Sequence, residues 1–170
     1  RMAAYRFAGY WKDVGTLESL WDANMDMLAP ESGLDLRDRS WPIYARSVSA
    51  PPAFLGTNST VSHSAVNRGS VLEGLVENSV LSQNVTVGEG ATVRYSVLFP
   101  GVVVEPGAVV EYAILGENCK IGKGCHVGGT PENTPEGWGL TVLAPGCQLP
   151  EGKNARAGIM LGRNGEEVSK

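Results

Sequence analysis

Histidine is scarce in these 170 residues: only His63 and His126 occur, too few for a zinc centre built from a set of histidine ligands. The three cysteines, Cys119, Cys125 and Cys147, are an odd number with no C-x-x-C pair, which argues against a disulfide framework and a thiolate zinc site. Positive charge is also in deficit. Lysine and arginine number 14 against 18 acidic residues, a net charge of -4 spread along the chain, so no basic face for nucleic acid is expected. No apolar run approaches the ~20 residues that cross a bilayer, and a soluble, cytoplasmic protein is the expectation. Glycine (22) and proline (10) are plentiful, as in turn-dense β architectures, while 42% hydrophobic residues argues against disorder.

Ten aliphatic residues recur through the middle of the chain every five or six positions: Val76, Leu81, Val87, Val93, Leu98, Val104, Val110, Leu115, Ile121 and Val127. Neither an α-helix nor an alternating hairpin strand keeps that step, and the 17-residue period predicts a solenoid. Shifting by one period lays Val76-Glu-Asn-Ser-Val-Leu81 on Val93-Arg-Tyr-Ser-Val-Leu98 and Val110-Glu-Tyr-Ala-Ile-Leu115, with an outlying copy at Val61-Ser-His-Ser-Ala-Val66. One side chain per short strand would then point into a narrow three-sided core, and a small residue would follow four places later. Cys125 and Cys147 fall at that small position, where a thiol acts as a compact hydrophobe. Gly88, Gly90, Gly107, Gly122 and Gly124 are expected to supply the turns. The period breaks after Val127, so residues 129 to 141 read as a loop leaving the prism, and Leu143 to Leu149 resume the pattern. This is the hexapeptide pattern, and it resembles the left-handed parallel β-helix of hexapeptide-repeat proteins. The handedness comes from that resemblance.

The N-terminal text is different. Thr16 is a candidate N-cap with Glu18 in the first turn, followed by Leu17, Leu20, Trp21, Asn24 and Leu28 at helical spacing until Ala29-Pro30 ends the run. A strand or loop, Gly9-Tyr-Trp-Lys-Asp-Val-Gly-Thr16, leads into that helix. The expected fold is therefore mainly β: one α-helix and a linker, then a hexapeptide-repeat β-helix. Arg1 precedes Met2 and the chain runs straight into a motif, as expected of a piece of a longer protein.

The run from Gly9 to Thr16, continued by Leu-Glu-Ser-Leu-Trp-Asp-Ala-Asn-Met-Asp-Met-Leu28, resembles the end of the catalytic domain of bacterial ADP-glucose pyrophosphorylase (glucose-1-phosphate adenylyltransferase). Leu36 to Tyr44, Pro51-Pro52 and Ser96 to Val102 resemble the same family's linker and β-helix. The resemblance implies a catalytic-domain end at 1–28, a linker at 29–54 and the β-helix at 55–160, and the composition of 161–170 reads as a flexible tail. It also implies the reaction of ATP with glucose 1-phosphate to give ADP-glucose and pyrophosphate, aided by Mg2+. Asp13 matches the family's metal-binding aspartate, and Tyr10 and Trp11 are candidates to line the substrate cleft. Lys12 is expected to be solvated.

The family's glycine-rich nucleotide loop and its E-K-P sugar-phosphate segment have no counterpart here, so this chain by itself is expected to be inactive. The resemblance further implies a homo- or heterotetramer and phosphorylated effectors, with Arg156 and Arg163 as candidate contacts. Trp41, Pro42, Ile43 and Tyr44 are expected to dock the linker onto the prism. Two other readings stand beside this one: a non-catalytic regulatory subunit of the same enzyme, and a hexapeptide-repeat acyltransferase. The latter needs a histidine base, yet His126 precedes an inward valine and His63 shares the slot of Asn78, Tyr95 and Tyr112, so both should face outward.

Overall fold

The computed structural model describes residues 1–36, 38–44, 49–131 and 139–168. Helix α1 spans Leu17–Asp26 and a short 3-10 turn follows at Pro30–Ser32. Thr16 is the N-cap: its hydroxyl accepts from the Ser19 amide at 3.1 Å, and the Ser19 hydroxyl oxygen accepts from the Thr16 amide at 3.0 Å. This reciprocal box satisfies two donors that a helix start otherwise leaves open.

From Phe54 onward the chain winds through three sheets of six, six and seven strands, each strand two or three residues long. Within each sheet the neighbours are parallel coils of the same path, apart from the last strand, Glu167–Val168, and Val76, Val93, Val110 and Val127 stand in one register column. Leu81, Leu98 and Leu115 form another, and Val87, Val104 and Ile121 a third. All ten periodic aliphatics are buried. The three columns meet in a single core that no one coil could close by itself.

The coil step is 17 residues from Val97 to Ile114 but 28 from Ile114 to Val142, because the chain leaves the prism after Gly128. Of that expected loop, residues 132–138 lie outside the described residues. The outlying first copy pairs at a step of 15, Val61 with Val76, because the corner at Glu73-Gly74 is two residues short. A Cβ at Gly74 would overlap the Ala91 carbonyl oxygen, so only glycine lets that corner run so tightly.

The named glycines divide into two kinds. Gly90, Gly107 and Gly124 hold left-handed backbone in open space, whereas a Cβ on Gly88 or Gly122 would sit 2.7 Å or 2.5 Å from the backbone of the next coil. The first group is needed for conformation and the second for close approach.

Another corner follows a different rule. His63, Asn78, Tyr95 and Tyr112 occupy one position in successive coils, and all four adopt positive φ, between 44° and 48°. Bulky side chains enter that region only at a cost. The stacking of Tyr95 on Tyr112, 4.8 Å apart and 10° from parallel, supplies aromatic contact in return.

Immediately after this corner runs a ladder of serines. Ser64, Ser79 and Ser96 each donate to the carbonyl two residues back, those of Ser62, Glu77 and Arg94, at 2.7–2.8 Å. Each also accepts the amide of the next coil, from Ser79, Ser96 and Ala113, at 3.1 Å. Ser96→Ala leaves the buried Ala113 N–H without its acceptor and is expected to cost about 2 kcal/mol. That corresponds to a melting temperature lower by about 6 °C, and an unchanged melting curve would show the ladder to be dispensable.

All three cysteines are buried free thiols. Cys119 shares the small-residue role expected for Cys125 and Cys147, and the amide of the residue after it, Lys120, donates to the Cys147 carbonyl at 2.9 Å. Cys119 and Cys125 donate to the carbonyls of Ala144 and Pro150 at 3.1 Å. Burial pushes the Cys119 thiol up to about 11. Because that raises the folded value above the unfolded one of about 8.5, its contribution is complete below the unfolded value and declines as pH rises to about 11. Stability measured across that window should fall more steeply in the native chain than in Cys119→Ala.

Two expectations are corrected. Trp41, Ile43 and Tyr44 do not dock on the prism: all three are exposed, Tyr44 by 90%, because no apolar surface among the described residues covers them. As far as Val168 the tail is not loose either. Glu167–Val168 pairs antiparallel with Met160–Leu161, folding the chain back over the last coil. Among the described residues no helix is long and apolar enough to cross a membrane.

Candidate functional site

The site is built where α1 meets the prism. Leu17, Leu20, Trp21 and Met25 pack on Val97, Ile114 and Leu140, with Phe99 and Tyr112 beside them. The Trp21 indole N–H donates to the Tyr95 carbonyl at 2.8 Å, and its ring lies 6.0 Å from that of Tyr112. The tyrosine corner is thus the seat of the helix. Asn24, expected on the packing face, instead donates from its side chain to the Leu20 carbonyl at 2.8 Å, and Met25 takes the apolar role.

The Gly9–Thr16 segment lies along this helix. Tyr10 Oη donates to Asp26 Oδ2 at 2.9 Å and Lys12 Nζ donates to the same oxygen at 2.7 Å. Lys12 is therefore half-buried and paired, a correction to the expectation that it is simply solvated; Asp22 is a second carboxylate 4.0 Å away. The Lys12 hydrogen bond holds the Asp26 carboxyl below the usual carboxylate range, and the same bond raises Lys12. Tyr10 is raised by desolvation first and by its bond to Asp26 second. Trp11 is 76% exposed and Asp13 is exposed as well. The segment thus alternates, with positions 10 and 12 turned to the helix and 11 and 13 turned away.

Asp13 faces open space, its Oδ2 3.9 Å from where a Cβ on Gly15 would sit. Among the described residues no group of three or more His, Cys, Asp or Glu is placed to hold a metal ion. A single hard carboxylate still suits magnesium, which takes one or two protein carboxylates and fills the rest of its shell with water and phosphate oxygens.

The other candidates lie apart from Asp13. Arg156 is exposed, pairs with Glu167 at 2.9 Å and borders a cleft of about 440 Å³ with His126, Gly128, Asn154 and Glu167. Arg163 is exposed and packs along the Gly146 turn. Sequence reasoning missed a charged column. Arg94 bridges Glu77 at 3.1 Å and Glu111 at 3.6 Å, and His126 Nε2 lies 3.4 Å from Glu111. The signal was present, since Glu77, Arg94 and Glu111 are one 17-residue period apart. The two histidines are separate, His63 at a corner and His126 at the start of the strand His126–Gly128, and His63 Nδ1 is 2.7 Å from Asn78 Oδ1.

Parallel strands wound in 17-residue coils, with small residues at the bends, define a hexapeptide-repeat protein. Residues 51–149 match the family described as GlmU-like, C-terminal hexapeptide, and the chain belongs to that family. It is similar to the glucose-1-phosphate adenylyltransferases of Bacillus mycoides (strain KBAB4) and Bacillus anthracis, 50% identical over 101 residues in each case. That stretch is 59% of this chain and 27% of each relative, so the chain spans well under a third of their length.

Among solved structures it resembles the acetyltransferase domain of PglB from Neisseria gonorrhoeae FA1090, with a TM-score of 0.53 and 24% identity over 70% of this chain and 58% of that one. It also resembles a mutant of perosamine N-acetyltransferase from Caulobacter crescentus, with a TM-score of 0.59 and 14% identity over 71% and 55% of the two chains. At these identities the likeness is one of fold.

Proposed function

We propose that this chain is the C-terminal part of a glucose-1-phosphate adenylyltransferase, which joins ATP and glucose 1-phosphate to give ADP-glucose and pyrophosphate. The observation that carries this reading is the 50% identity to adenylyltransferases over 101 residues. Asp13 is the residue of this chain that would ligate magnesium, and Trp11, turned to the same side, is the candidate for the substrate cleft, whereas Tyr10 is held against the helix by Asp26. Bound magnesium would neutralise charge on the phosphate oxygens during attack at the α-phosphate. The chain's own part is to hold one carboxylate in place for it.

The prism serves assembly, as a homo- or heterotetramer, and regulation by phosphorylated effectors. Arg156 and Arg163 are its effector contacts, since guanidinium groups bind phosphate in bidentate fashion. The reading puts the protein in the cytoplasm. The acyltransferase alternative has less support, because its backing is fold-level likeness and two histidines that stand apart, one at a corner and one on a strand.

The test is ADP-glucose formation from ATP and glucose 1-phosphate with magnesium, comparing the full-length parent, its Asp13→Ala variant and this 170-residue chain. Activity in the parent only is the expected result. An inactive parent would move the assignment to a regulatory subunit, and activity in the isolated chain would refute the division of labour.

A further inference from the structure

We propose that Asp26 is a positioning residue for the Asp13 carboxylate: it clamps Tyr10 and Lys12 from the helix side and so commits the alternate residues, Trp11 and Asp13, to the opposite face. The functional half of this statement rests on the metal role assigned above to Asp13; the geometric half does not.

Three observations converge. First, both donors reach one oxygen, Asp26 Oδ2, at 2.9 and 2.7 Å, from residues two apart in a stretch with no turn or bend between them. Side chains two apart on extended backbone share a face, and the residues between and after them take the other. Second, burial follows that alternation: Tyr10 and Lys12 are half-buried, Trp11 and Asp13 exposed.

Third, Asp26 is badly placed if its task is to stabilise α1. It ends the helix, where the partial negative charge of the free carbonyls disfavours a carboxylate, and the last turn carries no basic residue of its own. Lys12 supplies the missing cation from outside the helix. The helix meanwhile has independent support from the Thr16 box, the Trp21 hydrogen bond and the apolar contacts of Leu17, Leu20 and Met25. A rigid α1 can therefore act as the anchor, with Asp26 as its point of attachment to the motif.

The experiment has two arms. In this chain, amide hydrogen exchange is measured by NMR for native protein, Asp26→Ala and Asp26→Asn. Asp26→Ala is expected to speed exchange at Trp11 to Val14 by about tenfold while the amides of Leu20 to Met25 keep their protection. Asp26→Asn retains an acceptor oxygen where the two bonds converge, and is expected to restore part of the slowing. Unchanged exchange at Trp11 to Val14, or equal loosening of α1, would overturn the clamp.

In the full-length parent, Asp26→Ala is expected to raise the magnesium concentration for half-activation by about tenfold, as loss of a partner that orients a metal ligand does. Its kcat at saturating magnesium should fall far less. An unshifted magnesium dependence would overturn the positioning role even if exchange changes. Asp13→Ala in the same parent separates the two failures. If it has no effect, the metal reading fails by itself, while the exchange arm still decides whether Asp26 orders the segment.

Discussion

Alanine at Gly128 is expected to unravel the far end of the prism while leaving its beginning folded. Gly128 pairs in register with Glu111 on one side and Arg156 on the other. Its φ is +86°, and a Cβ there would overlap the Glu111 carbonyl oxygen. Left-handed backbone costs a residue with a Cβ about 1–2 kcal/mol. Forcing an atom into a packed site costs about 1–3 kcal/mol more.

The strand cannot relax by moving outward without breaking both pairings, so a sum near the top of those ranges, about 4 kcal/mol, is expected. It should lower the melting temperature by about 12 °C. Because coils couple mainly to their neighbours, the loss should concentrate in 139–168, visible as fast hydrogen exchange there with protection retained from Val76 to Val110. Gly124 is the control. It too has positive φ, at +63°, but nothing lies within 4 Å of its would-be Cβ, so Gly124→Ala should cost only about 1 kcal/mol. Equal effects at the two sites would disprove the steric account.

Replacing Asp13 with alanine is expected to have the largest effect on activity. The carboxylate is exposed, and among the described residues none of the segment's hydrogen bonds or ion pairs involves it, since Tyr10 and Lys12 are tied to Asp26 instead. Folding of Asp13→Ala should therefore match the native chain within about 0.5 kcal/mol, as for surface substitutions generally. Its catalytic cost in the full-length enzyme should be severe. A metal that offsets developing phosphate charge contributes several kcal/mol to transition-state stabilisation, so losing a ligand should lower kcat/KM by about a hundredfold or more. Raising magnesium should recover part of the loss. Near-native activity at ordinary magnesium would remove Asp13 from the metal site.

The solenoid was legible because its signal is redundant. Ten aliphatic positions in a fixed cadence admit few other structures, and all ten are buried. The N-cap was legible for a similar reason, since Thr16 precedes a helical apolar pattern and caps act locally. The slot shared by His63, Asn78, Tyr95 and Tyr112 was visible as an alignment of copies. Its positive φ was not: asparagine and histidine do favour left-handed backbone, but the two tyrosines that share the slot carry no such propensity and mask the signal.

What stayed hidden depends on contacts between distant segments. Lys12 reads as solvated until folding brings it against Asp26, fourteen residues on. Trp41 and Tyr44 read as docking residues because large aromatics usually find cover, yet here they face solvent. The tail has a loose-end composition, and only its antiparallel pairing with Met160–Leu161 reveals a strand.

The corners of the prism carry one further consequence, for how such a chain can change in length. The coil that leaves after Gly128 takes 28 residues to return, yet Ile114 and Leu115 still face Val142 and Leu143 as squarely as they face Val97 and Leu98. The corner at Glu73-Gly74 loses residues and its strands remain in register. Length is therefore stored at bends, like slack thread at the edge of a spool, while the faces keep count. In evolutionary terms, indels at a bend leave the winding intact, whereas a single residue added inside a two-residue strand would turn the next inward side chain to the outside.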